Sequence, residues 1–421
     1  MWRVGSETRN LLVLLLMVGG LAILVVLAQR HGNPTIMPPE PQELASKRSS
    51  PDNAFYTLRP ARNQLRDMWD TAKPPDEEVD GEMVGHRIGD TLEEWIDADD
   101  PRAAAFLEEC RPLVSSVRRA FRKPFYLCPK IGDIKTDTDD IGNFRELGQV
   151  LVACGRLRAR TQGADEEAFA YLLDCVRLGR MEASDGPYFS FMMSFSTQRA
   201  ALEHVTELAA LASSPEVLRS ALEGMLALTS DPIPLVARLE FGWRQFDNSQ
   251  SLASEDPHMK SEGGKTLEEL WREYSHALEY KRALLFAAEH PDTLRQLIKL
   301  SYPQYRSWEE RHRDLAKYAR NNFVRGFVTM RAYNETDVGG GVIALALELY
   351  RRDHETLPGT LDALTPDYLA EVPHDPFSGE PLIYRVEGGD YLLYSVGRTG
   401  RDDGGSKGRD VLCHTPPGKD E

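Results

Sequence analysis

The sequence predicts a mainly α-helical protein with an N-terminal transmembrane helix, a body of helical hairpins and a small C-terminal α+β module with an antiparallel sheet. Three observations predict this: an uncharged apolar run at Leu11–Ala28, a helical period from Arg145 to Ala227, and two strand-like segments flanking Glu387-Gly388-Gly389. Over 421 residues, 41% hydrophobic and 28% charged positions supply apolar material for two or three domains. Lys+Arg 50 against Asp+Glu 66 leaves a formal charge of −16. That balance argues against a nucleic-acid binder, because clustered Lys and Arg are what grip phosphates.

Residues 1–30 read as a cytoplasmic tail and membrane anchor. The 18 uncharged residues Leu11–Ala28 make a helix about 27 Å long, close to the thickness of a bilayer's hydrocarbon core. Arg3 and Arg9 precede it and keep the tail inside, so the chain beyond Arg30 lies outside the cell membrane, in the periplasm. The competing reading is a signal peptide cut after Val26-Leu27-Ala28, with secretion of the rest. Both readings export the body.

Residues 31–53, with Pro34, Pro38, Pro39, Pro41 and Pro51, read as an extended spacer. Residues 54–140 form an acidic, partly irregular segment. Between Asp67 and Glu109 fifteen Asp or Glu face three basic residues, a net of −12 out of the total −16. Pro74, Pro75 and Gly81 make its first half irregular, while Thr91–Arg111 suits short helices, with Asp99-Asp100-Pro101 as a start signal.

Residues 141–335 are the helical domain. Leu147, Val150, Leu151, Cys154 and Leu157 share one helix face, and after Gln162-Gly163-Ala164 the residue Asp165 caps the next helix. Ala168, Phe169, Leu172, Cys175 and Val176 repeat the pattern. A third helix carries Leu202, Val205, Leu208 and Ala209, and a fourth starts at Ser214-Pro215. The spacing resembles tetratricopeptide-like hairpins, and a plain bundle predicts the same pattern. Asn248–Thr266 is a polar loop, after which helical patterning runs from Leu267 to about Asn334 with a break at His290-Pro291. Five cysteines cannot all pair within one chain. Cys154 and Cys175 either cross-link two neighbouring helices or fill core positions.

Residues 336–413 are the terminal module, followed by a tail at 414–421. A helix over Val342–Arg352 ends at Asp353-His354, Leu357-Pro358 breaks the chain, and a short helix surrounds Leu361-Asp362-Ala363-Leu364. Val372-Pro373-His374-Asp375-Pro376-Phe377-Ser378-Gly379 turns it. Leu382–Val386 and Asp390–Ser395 then form a hairpin, followed by a glycine-rich acidic loop ending near Asp410-Val411. From about Gly340 to Cys413 this order resembles the carboxy-terminal domain of the major pseudopilin of type II secretion systems. The resemblance implies a long helix packed on a small antiparallel sheet, and a terminal loop that binds calcium. Asp410 matches that loop, Asp402 and Asp403 are neighbouring acids able to serve, and Thr399 and Arg409 stand where the family carries other acids. A pseudopilin's processed leader is not matched, since Ser6 follows Gly5 and Asn10 takes the place of its glutamate.

No catalytic motif is present. Gly264-Lys265-Thr266 lacks the first glycine of a phosphate loop, Met259 standing in its place. Glu77-Glu78 and Glu108-Glu109 are adjacent acids that diverge on a helix, unsuited to converge on one bond. His312 and His354 suit helix ends, and Asn334-Glu335-Thr336 matches a glycosylation acceptor. The expectation is a single-pass, exported scaffold or interaction protein, not an enzyme, meeting other envelope proteins. The alternatives are an extracytoplasmic enzyme with a site in the helical domain, and an atypical secretion or pilus-like component.

Overall fold

The computed structural model describes residues 42–75, 77–79, 82–84, 86–128, 144–184, 188–231, 286, 289–321, 324–406 and 409–415. The expected anchor Leu11–Ala28 and the expected loop Asn248–Thr266 lie outside them. Among the described residues no helix is long and apolar enough to cross a membrane. What is described is mainly helical, with a small three-stranded antiparallel sheet near the C-terminus.

The expected spacer ends in structure. Gln42–Arg48 is helix α1, and the almost fully buried Arg48 donates to the Cys128 carbonyl. Asn53 is also buried; its amide donates to the Arg48 and Leu127 carbonyls, and the Leu127 N–H donates back to Asn53 Oδ1. The segment from residue 54 is likewise far more helical than its acidity and prolines suggest. Helix α2 (Phe55–Ala72) carries Pro60 inside it, yet buries Phe55, Leu58, Ala61, Leu65 and Trp69 along one face. A short hairpin follows, β1 (Glu77–Val79) with β2 (Glu82–Val84). Then come α3 (Ile88–Asp97), α4 (Pro101–Glu109) and α5 (Arg111–Ala120). Asp100 caps α4 as expected, accepting from the Arg102 N–H at 2.8 Å. Trp69 packs against Trp95 and Phe106 at ring separations of 5.9 and 5.5 Å, so these helices close an aromatic core.

Helices α6 (Arg145–Gln162) and α7 (Glu166–Ser184) match the expected pair, joined by a short turn in which Asp165 caps α7 through the Ala168 N–H. The third expected helix is two: α8 (Tyr188–Leu202) and α9 (Val205–Ala210), divided at Glu203-His204. Helix α10 (Pro215–Thr229) begins where Ser214 accepts from the Val217 N–H. α6 touches α8 as well as α7, which is bundle packing. At Gly179 on α7 a Cβ would stand 2.6 Å from the Ser194 carbonyl oxygen, so α8 crosses here at a distance only glycine permits. All five cysteines are free; Cys175 donates to the Thr197 carbonyl on α8. Burial pushes the Cys110 and Cys154 thiols up to about 12.

Three further helices, α11 (Pro291–Leu297), α12 (Tyr302–Arg311) and α13 (Arg313–Asn321), lead to α14 (Val324–His354). This 31-residue helix runs unbroken through the expected domain boundary at 335/336. Every residue from Gly339 to Leu349 is buried, as in a helix surrounded on all sides. One reason lies in Gly339-Gly340-Gly341. A Cβ at Gly340 would be 2.6 Å from Cys413 Cβ, and one at Gly341 would be 3.1 Å from Leu202. The glycines do not break the helix; they let a strand and the body close on it from different sides.

Beyond α14, Leu361–Leu364 forms a 3-10 turn and the sheet follows in the order β3-β4-β5. β3 (Ile383–Glu387) and β4 (Asp390–Ser395) pair antiparallel about Gly388-Gly389, whose φ values of 61° and 88° suit a tight hairpin. β5 (Val411–His414) extends one residue into the expected tail and pairs with β4, with an irregularity at Leu393/Tyr394. One apolar core joins Leu151 of α6, Leu345 of α14 and Leu393 of β4. Body and terminal module therefore share a core.

Candidate functional site

A cleft of about 450 Å³ opens where the body meets the terminal module. Its walls come from the C-terminal end of α10, the start of α12, the middle of α14 and the turn Pro373–Gly379, with Arg180 reaching in from α7. The turn is rigid because Asp375, 1% exposed, accepts from the Phe377 N–H at 2.8 Å, the Ser395 hydroxyl at 2.7 Å and the Val396 N–H at 3.0 Å. Phe377 seats it further, packing edge-on to Tyr302 of α12 and Tyr333 of α14.

Two guanidinium groups are held on backbone carbonyls beside this cleft. Arg180 donates to the Asp231 carbonyl just past α10. Arg331 donates to the Ile298 and Leu300 carbonyls at the end of α11, and its Nε lies 3.5 Å from Glu335. Burial lowers the Arg180 pKa below its ordinary value against the opposing pull of Asp231. Asn334, 4% exposed, also lines the cleft, and its amide nitrogen has no hydrogen-bond partner among the described residues. Leu226, Pro303, Val338 and Val342 supply the apolar part of the lining. The glycosylation motif at Asn334 is thus inside the fold, where no glycan can be attached.

The acids expected to hold calcium lie in the loop between β4 and β5. Asp402 accepts from the Tyr394 hydroxyl at 2.6 Å, Arg385 at 2.8 Å and the Gly404 N–H at 2.9 Å. Asp410 is buried and accepts from the N–H groups of Gly405 and Ser406 at 2.8 and 2.9 Å, and from that of Asp403 at 3.4 Å. Asp403 itself stands 3.6 Å from Arg409. Asp402 and Asp410 thus meet N–H and O–H donors in place of a cation, and a calcium ion needs six to eight oxygens. Among the described residues no three His, Cys, Asp or Glu are grouped to hold a metal. The donor set does not fit calcium. Millimolar calcium is expected to leave the melting temperature within about 1 °C of its value in chelator, since a ligand bound tenfold above its Kd adds ~1.4 kcal/mol. A calcium-dependent rise of several degrees would refute the hydrogen-bonded arrangement.

A second polar cluster is structural. Arg156, 5% exposed on α6, meets Glu207 at 2.7 Å and Asp97 at 2.8 Å, and Arg160 contacts the same two acids. His204 lies 3.3 Å from Glu207. Burial favours protonation of Glu207, but hydrogen bonds from His204, Arg156 and Arg160 prevail and hold its pKa well below the carboxylate range. Part of the acidic segment is therefore docked on body arginines. The cleft residues Arg180 and Arg331 carried no sequence signal of a site, and Asn334 carried only that of a glycosylation acceptor; the turn around Asp375 was legible through its motif.

No protein-family model, curated protein or solved structure matches the chain.

Proposed function

We propose that the chain is a single-pass, extracytoplasmic interaction protein that receives another envelope protein in the cleft between its helical body and its terminal module. The observation that carries this reading is the cleft itself: a rigid, mixed polar and apolar depression containing a buried amide without a partner among the described residues. Its acid Asp375 is tied by three donors and Glu335 faces Arg331, an arrangement suited to holding a partner. The order of a long helix followed by a β3-β4-β5 sheet supports a likeness to the pseudopilin head. Helices α6 to α8 serve this reading as a scaffold. The apolar run Leu11–Ala28 supplies the tether and the export route.

The test places a photoreactive amino acid in the full-length chain in intact cells, at Leu226 beside the cleft or at the exposed control position Val386. An identified envelope protein should cross-link from position 226 and not from 386, and the adduct should stay in the membrane pellet after alkaline carbonate. Equal yields from both positions would overturn the cleft as the binding element. Release of the intact chain by carbonate would overturn the tether.

A further inference from the structure

The hydrogen-bonding capacity left over in the cleft is donor-rich. The carbonyls of Asp231, Ile298 and Leu300 already accept from Arg180 and Arg331, and the Asp375 carboxylate already accepts from Phe377, Ser395 and Val396. Asp231 and Glu335 are exposed, where water and salt screen their charge. Arg180 is partly buried, and its guanidinium donates to a neutral carbonyl, that of Asp231, and not to a carboxylate. Asn334 is almost fully buried and offers an N–H pair that nothing among the described residues accepts. An unaccepted buried donor is costly unless a ligand's oxygen completes it. The N-terminus of the ten-residue helix α12, capped by Ser301, faces the same space through Ser301 and Pro303 and adds its positive dipole end. Beside these donors stand Leu226, Val338 and Val342, of which Leu226 is 41% exposed and unusually open for its size.

We infer that the cleft binds an apolar group that ends in a carboxylate, with the carboxylate on Asn334 and Arg180 and the apolar part against Leu226, Val338 and Val342. This rests on the cleft being the binding element and narrows what it receives. The C-terminal end of a polypeptide with an apolar last residue has this chemistry, and so does a free medium-chain fatty acid. A carboxylate matches a guanidinium better than a neutral carbonyl does, because the charge-assisted bond is shorter and stronger.

The probe is a fluorescein-labelled tetrapeptide ending in leucine, with a free or an amidated C-terminus, titrated against the full-length chain in detergent and read by anisotropy. The free acid should bind saturably and at least roughly tenfold tighter than the amide, since a charged hydrogen bond is being removed. Octanoate is the competitor that separates the sources. Displacement of the peptide at similar concentration assigns the site to the carboxylate and its apolar neighbour alone; failure to displace assigns it to a peptide C-terminus. Arg180→Gln and Asn334→Leu should each weaken the free acid roughly tenfold and the amide, which keeps one carbonyl acceptor, by less. Leu226→Glu, at an exposed position that does not threaten folding, should weaken the free acid by repulsion. Equal affinity for acid and amide, or indifference to both Leu226→Glu and Arg180→Gln in folded protein, would overturn the inference. Cross-linking from position 226 combined with equal acid and amide binding would retain the cleft as a binding element and reject the carboxylate.

Discussion

Arg156→Ala is expected to lower the unfolding free energy by on the order of 2–3 kcal/mol, short of the ~3–5 kcal/mol of a fully buried pair because Asp97 and Glu207 stay partly exposed. The guanidinium is 5% exposed and lies 2.7 Å from Glu207 and 2.8 Å from Asp97. Removing it leaves two acids from different helices facing one another with only Arg160 and His204 for company. Denaturant unfolding of the full chain measures the loss, and a change under about 1 kcal/mol would show that Arg160 replaces it. The same network has a pH signature. Glu207 has a depressed folded pKa, so its stabilisation is fully present above the ordinary glutamate value of about 4.3 and is lost as pH falls below it toward the folded value. Glu207→Gln should flatten the acid limb of the stability curve and leave its slope above pH 6 unchanged. An unaltered acid limb would contradict the ion-pair reading.

Asp375→Ala should cost on the order of 3 kcal/mol, because a buried carboxylate with three donors is replaced by a methyl and three donors lose their acceptor. The local consequence is more specific than the global one. The Phe377 and Val396 amides donate to Asp375 at 2.8 and 3.0 Å and should exchange with solvent at least tenfold faster in the variant. Amides in the β3–β4 hairpin should slow or quicken only with the global stability. Asp375→Asn retains one carbonyl acceptor and should fall between the parent and Asp375→Ala. Unchanged protection at Phe377 and Val396 would remove Asp375 as the clasp of the cleft wall.

Local signals were legible wherever short-range chemistry decides the outcome. Ser214 and Asp100 cap the helices they were expected to cap, through the Val217 and Arg102 N–H groups. The pattern from Leu147 to Val176 produced α6 and α7, and Gly388-Gly389 made the hairpin turn. Where the structure goes beyond the sequence patterns, packing overrides residues that usually break helices. Pro60 sits inside α2 because five buried apolar side chains on that face outweigh one missing backbone hydrogen bond. The three glycines at 339–341 lie inside α14 because Cys413, Leu202 and Pro373 approach too closely for any Cβ to be comfortable.

The sequence alone determined the class: an acid-rich segment ahead of the body, helices in the body and an antiparallel hairpin near the end, all set by composition, periods and caps spanning a few residues. It placed the acids Asp402, Asp403 and Asp410 in one loop, but it did not say what they face. Tertiary structure decided that two of them meet N–H and O–H donors, that body and module share a core, and that a cleft exists at all. That cleft draws on Arg180, Leu226, Pro303, Asn334 and Pro376, residues from separate helices and a turn far apart in sequence. No spacing rule links such positions. Only the packing of α14 between the body and the sheet brings them to one surface.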